Sequence, residues 1–297
     1  MLVCYTHADI AISEAQRCCR FAPFHAGKPQ RGRRYPTDTT EAQWAVIDAL
    51  LPDPGFINGV GGRPESHCRR AIVDAIFYVV DNGIKWRALP ADFPPFSTVF
   101  KYFTRWEAAS ATKAILSTLR ARVRLATDRQ AEPTAAVIDS ASVRAAETVG
   151  AASRGYDAGK KVNGRKRHIA VDTMGLLLCV LVTGAGTQDR DGAKPLLTVL
   201  NGLCQRINLV WADGGYAGKL VIWARETLGL ALTIVKRSDD TTGFHVLPRR
   251  WVVERTLAWI ARHRRCVRDY ERLPEHHEAM VRWTMIRITS KRLNNKV

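Results

Sequence analysis

The sequence lacks the features that mark several large classes of protein. No apolar run reaches the roughly 18–20 residues that a membrane-spanning helix needs. A signal peptide is not expected, because no basic segment opens the chain and Asp9 and Glu14 interrupt any apolar core. The seven cysteines form no CxxC pair and no Cys/His spacing typical of zinc sites. Scattered cysteines in odd number fit a reducing compartment, so we expect a cytoplasmic protein.

Two common catalytic motifs and an even charge balance are missing as well. Neither a Walker-type glycine loop nor a Gly-x-Ser-x-Gly turn occurs, which leaves little support for an NTPase or a serine hydrolase. Acidic residues are few: 28 Asp and Glu stand against 45 Lys and Arg, which gives a formal charge of +17. A basic soluble protein, a ribosomal protein or a membrane-surface binder would also have such a charge. The clustering of the basic residues favours a polyanion as the partner.

The sequence pattern changes near Pro133 and divides the chain there. Residues 1–32 show no convincing periodicity and are predicted to form a disordered extension. Residues 33–130 carry the spacing of amphipathic helices, with Gly83 as a helix stop. Helices are predicted to begin at Asp38 or Thr40, near Ser66, at Ser97 and at Thr112. Short helices with basic outer faces form either a helix-turn-helix-like DNA-binding domain or a plain helical bundle.

Strands alternate with helices from Ala135 onward, which indicates an α+β domain over residues 131–297. The first predicted strand ends at Asp139, and the others span 166–171, 176–182, 209–212 and 231–235. Helices are predicted over 191–203, over 219–228 and around Glu254. Three strands of a meander followed by two strands joined through helices predict a mixed five-stranded sheet flanked by helices.

Three acidic residues occupy positions where a solvated carboxylate would be out of place. Asp139 and Asp213 each follow an apolar strand, and helical spacing puts Glu254 on one stripe with apolar residues. An aspartate after a strand is often a turn former or a helix cap, so either one alone is weak evidence. The small neighbours Ser140 and Gly214 permit the close approach of a large substrate. If the two strands are neighbours, these carboxylates can converge with Glu254 on Mg²⁺ or Mn²⁺, and we expect two ions.

Basic clusters lie close to these acids in the sequence. A charge run usually marks a solvated face, but clusters this dense beside carboxylates are better explained by contacts to phosphates. The candidate DNA contacts are Lys101, Arg105, Lys160, Lys161, Arg165, Lys166, Arg167, Arg250, Arg255, Arg262, Arg264 and Arg265. Other acidic residues are also candidates for the catalytic positions. Asp157 has no assigned role, while a helix-cap role is the stronger expectation for Asp189 and Asp191.

Seven segments give the chain a resemblance to a known family. They read GIKWRALP at 83–90, VIDS at 137–140, GYDAGKK at 155–161, GRKRH at 164–168, QDRDG at 188–192, ADGGY at 212–216 and WVVERT at 251–256. With these motifs the chain resembles bacterial insertion-sequence transposases with a DDE catalytic triad, of insertion-sequence family five. The first 32 residues match nothing in that family.

The resemblance implies a fold and a function. The fold is a ribonuclease-H-like catalytic domain over 131–297, with Asp139, Asp213 and Glu254 as the metal-binding triad, behind a small helical DNA-binding domain. The function is that of a transposase that binds terminal inverted repeats, cleaves DNA and transfers strands. Such a protein is expected to act as a homodimer on double-stranded DNA at the nucleoid. A domesticated metal-dependent nuclease and a catalytically inactive DNA-binding repressor are the alternatives.

The chain departs from the related motif at two positions around Glu254. Arg250 fills the place of the expected arginine four residues before the glutamate. Leu247 and Ala261 stand where the motif has a tyrosine and a lysine, so the DNA-contact roles of those two places do not carry over. Arg262 is a candidate substitute for the lysine.

Overall fold

The first helix of the N-terminal part begins where the sequence provides capping residues. The computed structural model describes residues 19–21, 31–57, 59, 61, 64–235 and 251–294. Helix α1 (Glu41–Asp48) begins after Thr40, whose side chain accepts a hydrogen bond from the Gln43 N–H, while the Gln43 side chain accepts one from the Thr40 N–H. This reciprocal pair satisfies backbone donors that the first turn would leave unpaired, and it confirms the predicted helix start.

Three further α-helices lie in the described residues of this part. They are α2 (Arg69–Asn82), α3 (Phe96–Ala108) and α4 (Ala111–Leu125). Helix α2 ends at Gly83, whose φ of 69° is a left-handed conformation that glycine adopts without strain. A Cβ at Gly83 would lie 2.8 Å from the Cβ of Arg264, so a side chain would also push a neighbouring segment away. The predicted helices are confirmed here, with the predicted stop at Gly83.

The second part of the chain forms a mixed sheet, as predicted. Its described strands are β1 (Ala135–Arg144), β2 (Gly155–Asp157), β3 (Val162–Asp172), β4 (Leu177–Gly184), β5 (Leu209–Ala212) and β6 (Ala231–Ile234). Strand β3 pairs antiparallel with β1 along one edge and with β2 and then β4 along the other. Strand β5 pairs parallel with β1, and β6 pairs parallel with β5. The short β2 is an addition to the five predicted strands.

The first strand is longer than predicted, because β1 does not end at Asp139 but continues to Arg144. Its parallel pairing with β5 stops at Val137 and Trp211, while its antiparallel pairing with β3 continues until Arg144 lies opposite Gly164. The antiparallel partner therefore supplies backbone hydrogen bonds beyond the point where the parallel partner turns away. Asp139 lies inside a strand, next to the place where the neighbouring strand ends.

Helices cover both faces of the sheet. On one face, α5 (Asp189–Leu203) and α6 (Lys219–Leu228) form a core with Ala136, Ile138 and Val210 of the strands. On the other face lie α7 (Trp251–Ala261), the short α8 (Arg264–Val267) and α9 (Pro274–Asn294), together with the N-terminal helices. Each strand thus presents alternate side chains to two different helical layers.

The sequence pattern does not predict α9, because polar residues occupy buried positions of this helix. Arg282, Thr284 and Arg287 are all buried. Arg282 forms an ion pair with Glu107 of α3, and Arg287 forms one with Asp81 of α2. Partners on other helices satisfy these polar groups, so the helix has no single apolar stripe that periodicity could detect.

One hydrophobic core joins the N-terminal helices to the sheet. Trp106 of α3 lies against Trp283 of α9, with ring centroids 6.1 Å apart. The same cluster of buried side chains contains Val137 of β1 and Val180 of β4. The division of the chain at residue 130 stays a prediction, but the described core does not stop there.

A few residues of the stretch 1–32, which the sequence predicts to be disordered, belong to the described part. Phe21 is buried, and Arg31 forms ion pairs with Asp38 and Asp92. These residues are held against the helical part, contrary to the expectation, and most of the stretch lies outside the described residues. None of the helices in the described part combines the length and the apolar character that crossing a membrane requires.

Candidate active site

The fold brings Asp139 and Asp213 to one edge of the sheet. The last parallel pair between β1 and β5 is Val137 with Trp211, and each aspartate follows two residues later. The two aspartates therefore lie at the same level of neighbouring strands, whose backbones are about 4.8 Å apart. Because side chains alternate along a strand, Asp139 shares the face of Val137, while Asp213 directly follows the end of β5. That face is the one covered by α7.

Local hydrogen bonds orient one oxygen of each carboxylate. Asp139 Oδ1 accepts the Ser140 N–H at 2.7 Å, and Asp213 Oδ1 accepts the Gly215 N–H at 2.8 Å. Asp213 is also the N-cap of the short 3-10 helix Gly214–Tyr216, so a structural role accompanies any catalytic one. A Cβ at Gly215 would lie 3.0 Å from Asp213 Oδ1, and a glycine there keeps this turn close to the carboxylate.

Tyr216 lies beside both aspartates. Its side chain is 1% exposed. Burial raises the pKa of the Tyr216 phenol, and the negative charges of Asp139, Asp189 and Asp213 raise it further. The Ser140 hydroxyl is another polar neighbour. The phenol is therefore neutral and can only donate or accept a hydrogen bond.

A second pair of acids lies next to this edge and surrounds a buried lysine. The Lys166 ammonium donates to Asp189 Oδ1 at 2.9 Å and to the Thr187 carbonyl at 2.7 Å. It also lies 3.6 Å from Asp157 Oδ2. The Ser140 hydroxyl donates to the same Asp189 oxygen at 2.7 Å. Ser140 is thus hydrogen-bonded to Asp189 of α5 and, through the same oxygen, linked to Lys166 of β3.

This polar network is missing from the sequence prediction, which gives Asp189 a cap role only. Burial acts to raise the pKa of Asp189, but hydrogen bonds from Lys166 and Ser140 overcome it and hold the pKa below its usual value. A hydrogen bond from the Ser142 hydroxyl holds the pKa of Asp157 down as well. The alternation of Ser140 and Ser142 inside an otherwise apolar strand is the signal that could have revealed the network.

Helix α7, which carries Glu254, lies against β1 and β3, on the face of the sheet that Asp139 shares with Val137. The helix is fixed by buried Val253 and by Thr256, whose hydroxyl donates to the Gly175 carbonyl at 2.9 Å. The Glu254 side chain itself is exposed. Among the residues that the structure describes, no three His, Cys, Asp or Glu side chains form a group that could hold a metal ion. The structure therefore aligns the two aspartates without gathering all three acids into one cluster.

Some of the predicted DNA contacts lie on the surface. The exposed ones are Lys101, Arg105, Lys160, Lys161, Arg262 and Arg264. Arg105 also forms an ion pair with Glu65 at 2.6 Å. Arg255 is half-buried between the rings of Trp251 and Trp259, 4.2 and 4.6 Å from their centroids. Arg250 and Leu247 lie outside the described residues.

Four predicted DNA contacts are corrected by their burial. They are Arg165, Lys166, Arg167 and Arg265, all less than a tenth exposed. Arg165 donates to Asp269 at 2.9 Å, Arg265 donates to Glu271 at 2.7 Å, and Arg167 donates to the Cys266 carbonyl. A phosphate could reach these groups only if buried partners lost their charge or hydrogen bond, which is costly. Instead, Arg165 and Arg167 hold the sheet to residues 266–269, Arg265 ties α8 to Glu271, and Lys166 ties β3 to α5.

Two family descriptions match the sequence. Residues 130–288 match the family described as "Transposase DDE domain". Residues 39–116 match the family described as "Putative transposase of IS4/5 family". The first match alone covers more than half of the chain.

Two relatives from Burkholderia cepacia are similar over shorter stretches. A "Putative transposase for insertion sequence element IS402" is 34% identical over 126 residues, which are 40% of this chain and 59% of the relative. An "Insertion element IS402 uncharacterized 16.2 kDa protein" is 33% identical over 106 residues, 34% of this chain and 69% of the relative. The chain thus spans less than two thirds of the length of the first relative. No solved structure matches the chain.

Proposed function

Since this chain belongs to the DDE transposases of insertion-sequence family 4/5, we propose that it cleaves DNA at the ends of an insertion sequence and joins those ends to a target. The observation that carries the proposal is the placement of Asp139 and Asp213 at one level of neighbouring parallel strands. The space beyond the carboxyl end of a parallel strand, here β5 beside the middle of β1, is a common location of ligand sites in mixed sheets. The helical N-terminal part binds the terminal inverted repeats in this proposal.

The strand arrangement supports the ribonuclease-H-like fold that the resemblance implies. Strands β4, β3 and β1 are antiparallel neighbours, while β5 and β6 extend the sheet in parallel from β1. Strand β1 therefore stands at the junction of the two halves and carries Asp139 in its middle. Helix α7 covers this junction and supplies Glu254.

Membership in the family implies a divalent metal ion, and the donor groups fit Mg²⁺ or Mn²⁺. Both ions prefer oxygen ligands, and Mg²⁺ in phosphoryl-transfer sites is held by one or two carboxylates together with waters and substrate phosphates. Asp139 and Asp213 supply such a pair of carboxylates, and we assign them two ions, with Glu254 completing the site. When bound, the ions activate the attacking oxygen and stabilise the charge on the leaving oxygen.

The reaction consists of two displacements at phosphorus. In the first, a water oxygen attacks the phosphodiester at the element end, the bond to the 3′-oxygen breaks, and a 3′-hydroxyl remains on the element. In the second, that hydroxyl oxygen attacks a phosphodiester of the target, and the target's own 3′-oxygen leaves with a proton. The protein holds both DNA segments at the edge that Asp139 and Asp213 occupy, with the attacking and leaving oxygens in line.

The exposed basic residues provide the DNA contacts. Lys160 and Lys161 lie at the turn between β2 and β3, and Arg262 and Arg264 lie just after α7. Each phosphate that they neutralise releases counterions, which shifts the slope of log affinity against log salt by about 0.9. Because strand transfer uses two element ends, we assign the active form to a homodimer on DNA. Its DNA substrate places the protein at the nucleoid in the cytoplasm.

A joining assay tests the activity. The full-length protein, Mg²⁺, a plasmid target and a pre-cut duplex from the element's own end are combined, with the duplex carrying either a 3′-hydroxyl or a 3′-deoxy terminus. We expect covalent joining of the hydroxyl end and binding without joining of the deoxy end. Repeated hydrolysis of DNA without any joining would assign a nuclease, and binding without any metal-dependent cleavage would assign a repressor.

Single substitutions test the triad. Asp139→Asn, Asp213→Asn and Glu254→Gln keep the side-chain shape and remove a charge that a metal ion needs. Each is expected to abolish cleavage while affinity for element-end DNA changes by only a few fold. Asp191→Asn is the matched control, since it removes an exposed acid of the neighbouring segment. A triad variant that cuts as fast as this control would show that its residue is misassigned.

A further inference from the structure

The segment between α7 and α9 sorts its charges by sign. Residues 262–272 contain the acids Asp269 and Glu271, and both are buried. The exposed charged residues of the same stretch are all arginines: Arg262, Arg264, Arg268 and Arg272. The next acid along the chain, Glu275, is in the first turn of α9, where the helix dipole favours a carboxylate. This segment therefore presents only positive charge to the solvent.

The buried acids hold the exposed arginines in place. Asp269 pairs with Arg165 at 2.9 Å, and Glu271 pairs with Arg265 at 2.7 Å, with all four side chains less than a tenth exposed. Exposed and buried residues alternate from 268 to 272, as they do along a strand. The inward pairs thus fix which side of the segment the arginines occupy, so little order has to be gained when a partner binds.

The segment also continues the line of the strand that carries Asp139. Strand β1 ends at Arg144, and the next residue, Ala145, forms a parallel bridge with Asp269. Arg268 donates to the Ala145 carbonyl from Nε at 3.2 Å and from Nη2 at 2.9 Å. Ala145 comes six residues after Asp139, which is about 20 Å along a strand.

We propose that Arg268 and Arg272 bind the phosphate backbone of double-stranded DNA about six base pairs from the bond that is cleaved. The proposal rests on the proposed function, which places that bond at Asp139. Phosphates along one strand of B-DNA are about 3.4 Å apart in the axial direction, so about 20 Å corresponds to about six base pairs. The duplex then runs in the direction of β1, across the outer side of α8.

Charge complementarity identifies the partner. A row of exposed arginines without an exposed acid among them fits a row of phosphates. The Arg268 guanidinium has further N–H donors beyond those that bond to Ala145, and they can donate to a phosphate. Contacts of this kind fix the register of a duplex relative to the protein without reading its sequence. The two arginines therefore set which phosphodiester lies at the site.

Arg272→Ala is the direct test. The side chain of Arg272 is exposed, while its backbone carbonyl, which the substitution keeps, accepts a hydrogen bond from Arg165 at 2.9 Å. We expect an unchanged Tm and a slope of log affinity against log salt that is shallower by about 0.9. Arg272→Lys keeps the charge and should keep the wild-type slope. Arg225→Ala is the matched control, because it removes an exposed arginine from α6 on the opposite face of the sheet and should change neither quantity.

Element-end duplexes that each carry one uncharged methylphosphonate locate the contact. The full-length wild-type protein should bind more weakly when the neutral group replaces a phosphate about six base pairs from the cleaved bond. Arg272→Ala should bind that duplex as tightly as the unmodified one, since the contact is already gone. Fluorescence anisotropy at several salt concentrations provides both measurements.

Three results would overturn this inference while the proposed function stands. Equal salt slopes for Arg272→Ala and the wild type would refute the phosphate contact. A sensitive phosphate next to the cleaved bond would refute the alignment of the duplex along β1. A loss of affinity for element-end duplex but not for an unrelated duplex would assign base reading to Arg272. A wild-type protein that binds duplexes with these slopes but cuts none in Mg²⁺ would instead count against the proposed function.

Discussion

Replacing Lys166 by Met asks whether this lysine holds the fold together or contacts DNA. Its side chain is 7% exposed, and its ammonium group donates to Asp189 and to the Thr187 carbonyl. Methionine preserves the apolar stem and removes the charge. We expect Lys166→Met to destabilise the protein and to leave the salt dependence of DNA binding unchanged.

The expected loss follows from the burial of the two partners. Removing one partner of a buried ion pair costs about 3–5 kcal/mol, because the other charge is left without compensation. The Asp189 side chain keeps 34% of its surface exposed, so water replaces part of the lost interaction. We therefore expect the low end, about 3 kcal/mol. In a chain of this size that corresponds to a fall in Tm of about 6 °C.

Thermal unfolding and DNA affinity at several salt concentrations provide the two readouts. Lys160→Met is the matched control, since Lys160 is exposed in the same segment. For that control we expect an unchanged Tm and a slope of log affinity against log salt that is shallower by about 0.9. In the double variant Lys166→Met/Asp189→Asn the nearer of the two uncompensated carboxylates is gone and only Asp157 remains, so part of the lost stability returns.

The opposite pattern would contradict this reasoning. If Lys166→Met keeps the wild-type Tm and reduces the salt slope as Lys160→Met does, the lysine reaches a phosphate and the buried arrangement is not the working one. If the double variant is no more stable than Lys166→Met, the loss does not come from the stranded charge on Asp189.

Three further predictions concern other residues of the sheet and of the helices that cover it. Burial lowers the pKa of His168 to about 4, so below pH 6.5 the unfolded chain binds a proton that the folded chain does not. The free energy of unfolding should then fall by up to about 1.4 kcal/mol for each unit that the pH drops from 6.5 to about 4. In His168→Asn, the free energy of unfolding measured with urea should depend less on pH over that range. A Cβ at Gly192 would lie 2.1 Å from His168 Cε1, so Gly192→Ala should lower the stability of the protein by about 1–3 kcal/mol. The control is Gly202→Ala in the same helix, where a Cβ would meet nothing within 4 Å and should not destabilise the protein. Arg264→Ala should reduce the salt slope of DNA binding by about 0.9 without loss of stability, while Arg265→Ala should lower Tm because it leaves Glu271 buried without its partner. Equal effects of the last two substitutions on Tm would contradict the assigned burial.

Much of the sheet could be predicted from local sequence patterns. The apolar runs before Asp139 and Asp213 are strands, and the turn between β3 and β4 closes at Gly175 with a φ of 80°. These features depend on residues close in sequence, which is where periodicity and turn chemistry are informative. The sequence predicts that the two aspartates meet only if their strands are neighbours. Local patterns do not show which strands pair, so this condition could not be decided from the sequence.

The buried charges are the part that the sequence could not reveal. Arg165 and Asp269 are 104 positions apart, yet their side chains form a fully buried ion pair. In the sequence, Arg165 stands among the basic residues 160–167 and resembles a solvated cluster. Burial of a charge depends on a partner brought in by the fold, so composition alone assigns such residues to the surface.

Helix α9 has a consequence for how the chain is synthesised and recombined. The Gln43 side chain of α1 donates to the Ser290 hydroxyl of α9, which the ribosome adds 247 residues later. The N-terminal helices therefore leave the ribosome well before the helix that completes their core, and their packing has to wait until α9 has been synthesised. A chimera that exchanges residues 33–130 between related proteins must exchange the matching face of α9 as well, because that face is part of the same core.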